Sequence, residues 1–497
     1  MLFPVKTNLT PQEIQQGLRA VLKDGLMAQA VDTLTAGMFL VAFALQLGAS
    51  NFMIGLLAAI PPLAHLTQIP AVLLIEKFQN RRLVAVLSSS ISRSFLLVIA
   101  LIPVIAPPTE GLWILVMALL LNSIAASIAS CGWHSWMRDL IPEKQLGQFF
   151  AKRKFIAAAL GVVLAFLVGN YLDYWKAKWP NEVMYSYSIL FVVAFFAGVI
   201  GIYFLSTTPE PQMIPSRHSF FKIMLQPFKD QNFKNLVIFL GSWNFAINLA
   251  APFFTVYMLK RLQLDMGMVV LFSITSQIMN LSFLRIWGRF SDRYNNKSVF
   301  SICSPLFLFS ILMWAFTTLP DTYFLTIPLL IVIHLIMGLS SAGMTLASLN
   351  IGFKLAPKGN ATPYLASLKL VNALTAGIAP ILGGIAAHIF AKYELSWTLK
   401  WISPGTKWSI EMLNLQHWDF FFVIAFIMGL YSLHRLSLVN EVGTATAEDE
   451  VLLEMLYEVR REVRDLSSAA GIRQMVEFPF SILKQWKQKN NLSETDP

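Results

Sequence analysis

Asp32 is the residue whose setting asks most strongly for a chemical reason. It is an acid inside a long apolar run, and Gln29 and Thr33 share its helical face at i, i+3, i+4 spacing. Placing a carboxyl at the centre of a membrane helix costs about 2.5–3.5 kcal/mol on insertion scales. A carboxyl that holds a proton in one state and releases it in another is a coupling site, and its charge attracts cations. The bland alternative is a carboxyl near the cytoplasmic end of its run, paired with a neighbouring base. Arg93 lies near mid-depth of another run, too deep to snorkel to water. Ser88, Ser89, Ser90, Ser92 and Ser94 surround it, and both a structural ion pair and a solute contact stay open. His65 and Gln68 share one face, and His334 is followed by Ser340 and Ser341. An imidazole shuttles protons near neutral pH or serves as an interhelical hydrogen-bond partner. Trp243, Asn244 and Asn248 combine an aromatic surface with amides suited to hydroxyls. Asn122, Gln277, Asn280 and Asn372 are further cavity candidates, or packing hydrogen bonds worth about 0.6 kcal/mol each. Lys369 stands only a few residues inside its run, within reach of the interface.

Other chemistries lack their residues. The seven histidines are scattered, without the close pairs of a metal site. No Walker loop, dinucleotide fingerprint or G-x-S-x-G element occurs. Cys131 and Cys303 lie in apolar runs and read as buried thiols. No cofactor, no metal and no enzymatic activity are expected.

The elements that must carry these residues are membrane helices. The chain has 497 residues, 56% hydrophobic and 13% charged, with 38 Phe and 13 Trp. Its mean hydropathy is +0.60. A bilayer core about 30 Å thick takes about 20 apolar residues per helix. Twelve such runs fall near 26–48, 52–75, 83–105, 112–137, 155–175, 184–206, 235–258, 267–287, 299–319, 324–353, 364–390 and 419–437. They are too long and too little alternating for barrel strands. The fold class is therefore all-α and polytopic. Lys and Arg set the orientation: the loops on the side of the two termini hold 29 of them and the opposite loops hold 7. Both termini are expected in the cytoplasm, in a bacterial inner (plasma) membrane. The net charge of +10 is then a topology signal, and no nucleic-acid partner is needed. Thr10-Pro11-Gln12-Glu13 reads as a capping box opening a surface helix, not a cleavable signal.

The chain repeats itself. Glu76-Lys77-Phe78-Gln79-Asn80-Arg81 and Asp292-Arg293-Tyr294-Asn295-Asn296-Lys297 match in residue type at an offset of 216. Leu140-Ile141-Pro142 and Leu355-Ala356-Pro357 match at 215, and Leu45-Gln46-Leu47 and Leu262-Gln263-Leu264 at 217. Two six-span halves of equal topology follow, with the solute site between them near the midplane. The expected organisation is an amphipathic segment at 1–25, a bundle at 26–206, a linker at 207–234, a second bundle at 235–437 and a tail at 438–497. The offset carries Asp32 onto Asn248. In the tail, 446–467 reads as an amphipathic helix and 475–489 as an interfacial segment.

Gly288-Arg289-Phe290-Ser291-Asp292-Arg293-Tyr294-Asn295-Asn296-Lys297 resembles the cytoplasmic signature of the major facilitator superfamily. The first copy is more degenerate, with Val72 for the Gly and Glu76 for the Asp. The glycine usual in that turn is replaced by Gln79 or Asn80 in one copy and by Asn295 or Asn296 in the other. Ala379-Pro380-Ile381-Leu382-Gly383-Gly384 is similar to an element that antiporters of that superfamily carry on span five; span five here has no proline. The resemblance covers about 20–437. It implies two six-helix bundles about a pseudo-two-fold axis, with spans one and seven lining the cavity. Glu76, Lys77, Arg81, Gly288, Asp292, Arg293 and Lys297 would form a cytoplasmic gate, or a positive topology anchor. The expected function is secondary transport of a small solute by alternating access, coupled to protons at Asp32. Export of amphipathic or cationic compounds is the first reading, and a proton-coupled importer of sugar-like nutrients the second. The rival class is a receptor or assembly anchor acting through the tail. The partners are a small molecule, protons and the bilayer, and the unit is a monomer.

Overall fold

In a computed structural model of the full chain, residues 5–6, 9–213, 226–318, 321–357, 361–403, 406–441 and 457 are described. Apart from Tyr457, the tail segments expected at 446–467 and 475–489 lie outside them. Twelve described helices are long and apolar enough to cross a membrane. In order they are Pro11–Gln46, Asn51–Phe78, Arg81–Ile105, Pro108–Leu140, Gln145–Lys178, Pro180–Thr207, Gln231–Arg261, Met266–Arg293, Asn296–Phe316, Thr326–Leu355, Pro363–Phe390 and Trp418–Ser437. We call them spans one to twelve.

The halves pack alike. In the first, span three packs on spans four and six, span one on five and six, and span two on four. In the second, span nine packs on ten and twelve, span seven on eleven and twelve, and span eight on ten. Adding six to each span number turns one set into the other. The contacts between halves obey the same symmetry: span two meets eleven, span five meets eight, and span one meets seven. This is the pseudo-two-fold arrangement that the repeat implies.

Small residues set the closeness of those contacts. A Cβ on Gly55 of span two would lie 2.2 Å from the carbonyl oxygen of Pro380 in span eleven. One on Gly384 would lie 2.6 Å from the carbonyl oxygen of Asn51. The Ala379–Gly384 element thus works as a surface of close helix approach. Between spans five and eight, Asp173 accepts hydrogen bonds from the amides of Met266 (2.9 Å) and Gly267 (2.7 Å). Lys176 pairs with Asp265 at 3.1 Å. All these residues lie toward the ends of the spans farthest from the termini, which we call the far side.

Three features depart from straight rods. Span one is one helix from Pro11 to Thr35, then breaks and restarts at Gly37. The expected surface helix is therefore continuous with the first span, and its capping box forms, with Glu13 N–H on Thr10 Oγ1 and Thr10 N–H on Glu13 Oε2. Ala36 is extended and Gly37 takes φ +57°. No atom lies within 4 Å of a Cβ built there, so the left-handed backbone alone favours glycine. Span two carries Pro61 and Pro62 and tightens into a 3₁₀ turn at His65–Thr67. Between spans eleven and twelve, where the sequence reading has only a loop, β3 (Glu394–Ser403) and β4 (Thr406–Gln416) form an antiparallel hairpin. Short strands β1 (Val5–Lys6) and β2 (Glu210–Pro211) pair in parallel beneath the first bundle.

Candidate functional site: a charged cavity in the first bundle

The break in span one opens into a cavity of about 570 Å³. Asp32, Thr35 and Gly37 come from the break, Pro61 and His65 from the bend in span two, and Arg93 from span three. Asn122, Ser127 and Ser130 come from span four, and Pro252 and Thr255 of span seven bring in the second bundle. Leu57, Leu96, Ile99, Leu119 and Phe191 make the apolar wall.

The break explains why Asp32 is available. The Ala36 amide closes the last turn on the Asp32 carbonyl at 3.0 Å, and Thr35 Oγ1 donates to the Val31 carbonyl at 2.8 Å. The Asp32 side chain is left exposed in the cavity. Restarting the helix at Gly37 also aims unpaired amides, and their partial positive potential, at the same wall.

Arg93 reaches the cavity across Gly198 of span six, where a Cβ would stand 2.7 Å from its Cδ. Asp32 and Asp24 are the charges that act on Arg93 through space. Neither the Asp32 nor the Arg93 side chain makes a hydrogen bond or an ion pair within 4.0 Å to any described residue. Asn122 donates to the Ser92 carbonyl at 2.8 Å and so fixes span four against the turn that carries Arg93. His65 is exposed in the cavity, 3.4 Å from Gln68 Nε2. Lys369 of the other bundle lies within electrostatic reach of His65.

Four expected residues therefore meet here: Asp32, His65, Arg93 and Asn122. Others go elsewhere. Gln29 Nε2 donates to Thr33 Oγ1 at 3.1 Å, and the pair packs over Gly161 of span five, not in this cavity. Trp243 is 3% exposed and packs on Phe307, inside the second bundle. Asn244 donates to Asn372 Oδ1 at 3.0 Å, and Asn248 to the Asn244 carbonyl at 2.8 Å. His334 is buried, stacked on Phe272, with Nδ1 at 2.8 Å from the Leu330 carbonyl. Asn280 donates to Ser341, while Gln277 is exposed on span eight. The polar groups of the second bundle are thus largely spent on each other.

Two charges escaped the sequence reading. Asp24 belongs to span one, two helical turns before Asp32, and lies 4.0 Å from Arg153 of span five. Arg153 lies on Gly25 and over the ring of Trp133, 4.8 Å from its centroid. The eight-residue spacing of Asp24 and Asp32 was the available signal.

The signature turns hold two kinds of residue. Arg81 is fully buried: it bonds Asp139 at 2.5 Å, the Pro211 carbonyl at 2.8 Å and Glu210 at 3.4 Å. Glu210 also accepts the Arg81 and Arg82 amides, capping span three. The second half copies this: Glu441, after span twelve, accepts from the Lys297 amide (2.8 Å) and Asn296 Nδ2 (2.6 Å), and pairs with Lys354 at 3.1 Å. Arg81 is thus a packed structural node. Lys77 and Asp292 are exposed and Glu76 half-buried; Arg293 lies over Tyr294, 5.2 Å from the ring centroid, and Gly288 faces Leu346. Gln79 supplies the left-handed residue of the first turn at φ +48°, while Asn80 and Asn295 cap the helices that follow.

Two like six-helix bundles, with a cavity lined mainly by the first and closed on one side by span seven, have the architecture of a carrier-type membrane protein. The Major Facilitator Superfamily model matches residues 25–380, and the chain belongs to that superfamily. No curated protein matches it in sequence. In fold it is similar to the nucleoside transporter NupG, at TM-score 0.62 and 13% identity over 86% of this chain and 98% of that one. A POT family transporter in complex with 5-aminolevulinic acid gives TM-score 0.60 and 13% identity, over 88% and 97%. A bacterial homologue of the iron transporter ferroportin, in an inward-facing state, gives 0.56 and 13%, over 86% and 99%. Among the described residues no group of three or more His, Cys, Asp or Glu could hold a metal ion.

Proposed function

We propose that this protein is a secondary active transporter of a small solute, working by alternating access and coupled to protons at Asp32. The observation that carries the reading is the exposed carboxyl of Asp32 in a cavity shared by both bundles, beneath tight contacts on the far side. Rocking the bundles apart there and together on the near side would present the cavity to the opposite face of the membrane. The near-side turns would then seal it, and Asp292, exposed here, would find a partner in that state. Glu76, Lys77, Arg293 and Lys297 belong to the same gate, while Arg81 holds its bundle together.

On the Lys/Arg count the near side would be the cytoplasm, of a bacterial inner membrane in this reading, with the cavity inward-facing and both termini inside. A proton-coupled exporter of amphipathic or cationic compounds uses this acid directly: proton and cation compete for Asp32. Uptake of a sugar-like nutrient is the second reading, but Trp243, Asn244 and Asn248 stand away from the cavity and disfavour it. Similar folds serve nucleosides in one case and hold 5-aminolevulinic acid in another, so the solute must be read from this chain's own residues. The unit would be a monomer.

The test is solute flux in proteoliposomes with and without an imposed pH gradient. Gradient-driven flux in the native protein, lost in Asp32→Asn without loss of folded protein, is expected. Flux indifferent to the gradient, or unchanged in Asp32→Asn, would overturn the coupling. Absence of flux for every solute, with function retained by a chain keeping only its tail, would favour a receptor or anchor.

A further inference from the structure

Opposite charges within one membrane-embedded bundle normally pair. Here an acid and a base line a single cavity, each facing its interior. Asp32 is exposed on the broken end of span one, and Arg93 is half-buried on span three. Each is within electrostatic reach of the other, and neither side chain is hydrogen-bonded or ion-paired to a described residue. A charge without a direct partner at this depth is costly. Ser90 and Ser94 do not relieve it, because they return their hydroxyls to their own helix.

We propose that the cavity takes an amphoteric solute, a small molecule carrying both a cationic nitrogen and an anionic oxygen group on an apolar body. The inference rests on the transport reading in taking this cavity as the solute site. The cationic end lies at Asp32. The anionic end lies at Arg93. A solute with only one charge satisfies one residue and leaves the other bare. The buried hydroxyl of Ser127, which has no partner among the described residues, supplies a further hydrogen bond on the cavity wall. Leu57, Ile99 and Phe191 receive the apolar body. Span seven contributes only Ala251, Pro252 and Thr255, so charge recognition belongs to the first bundle alone. Asp24 and Arg153 face each other at 4.0 Å one level nearer the termini; they also act through space on Arg93 and Asp32, but neither lines the cavity. At about 570 Å³ the space is that of an ordinary small-molecule pocket.

The experiment measures thermal unfolding of the full chain in lipid nanodiscs against matched probes. L-phenylalanine and L-alanyl-L-phenylalanine carry both charges at two separations. Phenethylamine carries only the cation and 3-phenylpropanoate only the anion. At least one amphoteric probe is expected to stabilise the native protein, with apparent affinity tenfold or more above both single-charge probes. In Asp32→Asn that advantage over 3-phenylpropanoate should vanish, and in Arg93→Gln the advantage over phenethylamine should vanish. A native protein that prefers phenethylamine, or ignores both amphoteric probes, overturns the proposal. So do single variants that weaken all probes equally, as a mutual structural pair would. Binding here needs no transport: amphoteric probes that bind but never cross proteoliposomes would sink the carrier reading alone. Flux of single-charge solutes only would sink this inference alone.

Discussion

Replacing Gly55 by valine should drive the protein out of the state described here. A Cβ at that position meets the Pro380 carbonyl oxygen at 2.2 Å and its carbonyl carbon at 3.0 Å. These are backbone atoms, so no rotamer change relieves the clash, and spans two and eleven must separate. Overpacking of this kind costs typically about 1–3 kcal/mol. The clash lies between bundles rather than within one, so the whole cost falls on the far-side-closed state. Carriers poised between two states differ by only a few kcal/mol, and about 3 kcal/mol multiplies the ratio of states by roughly 150. The assay is the distance between spin labels on Phe78→Cys and Phe353→Cys, exposed near the near-side ends of spans two and ten, in a Cys131→Ser background. The native protein should give a long distance, and Gly55→Val a shorter one as the near side closes. Gly55→Ala should fall between. An unchanged distribution in a folded Gly55→Val protein would refute the reasoning, because the contact would then not be what holds the far side shut.

Further consequences follow from the same geometry. Arg81→Ala takes from Glu210, 1% exposed, its buried ion-pair partner and leaves only Arg82 as a nearby positive charge. Breaking a buried pair costs about 3–5 kcal/mol, so thermal unfolding should show a much less stable first bundle, whereas Lys77→Ala should show little change. Gly37→Ala places a side chain at φ +57° and should cost about 1 kcal/mol of stability, read in the same assay, with transport slowed as the cavity wall is disturbed. Asp292→Asn should slow solute flux while membrane insertion, measured by protease protection, stays intact; normal flux would remove Asp292 from the gate. Lys176→Ala removes a far-side ion pair exposed on both partners and should shift the label distances only slightly, since such pairs contribute about 0–1 kcal/mol.

The framework of the molecule was legible in its sequence, because bilayer thickness dictates how long an apolar run must be. The runs around all twelve spans could be read, and the duplicated signature at residues 76–81 and 292–297 gave the symmetry that the packing repeats. The Thr10–Glu13 cap was equally readable, since it depends on residue types at fixed local spacing. The breaks were less so. A left-handed Gly37 in an apolar run looks like any tolerated helix glycine until the backbone is traced. The hairpin at Glu394–Gln416 fell between two spans, where attention to run length sees only a loop; its alternation of Leu395, Trp397, Leu399 and Trp401 with polar residues was the overlooked signal. Within the site, Asp32 and Arg93 stood out because charge in an apolar run has a known cost. Asp24 and Arg153 hid among residues counted as loop. Trp243 and His334 were over-read, because helical spacing places residues on one face without telling whether that face turns to the cavity or to a neighbouring helix.

The central claim is that one cavity opens alternately to the two faces of the membrane. Ala126, a small residue on its wall, can be replaced by cysteine in the Cys131→Ser background and exposed to a membrane-impermeant thiol reagent from either side of oriented vesicles. Labelling from both sides, with Gly55→Val favouring the far side over the near, is the predicted result. Labelling confined to one face under every condition would contradict it.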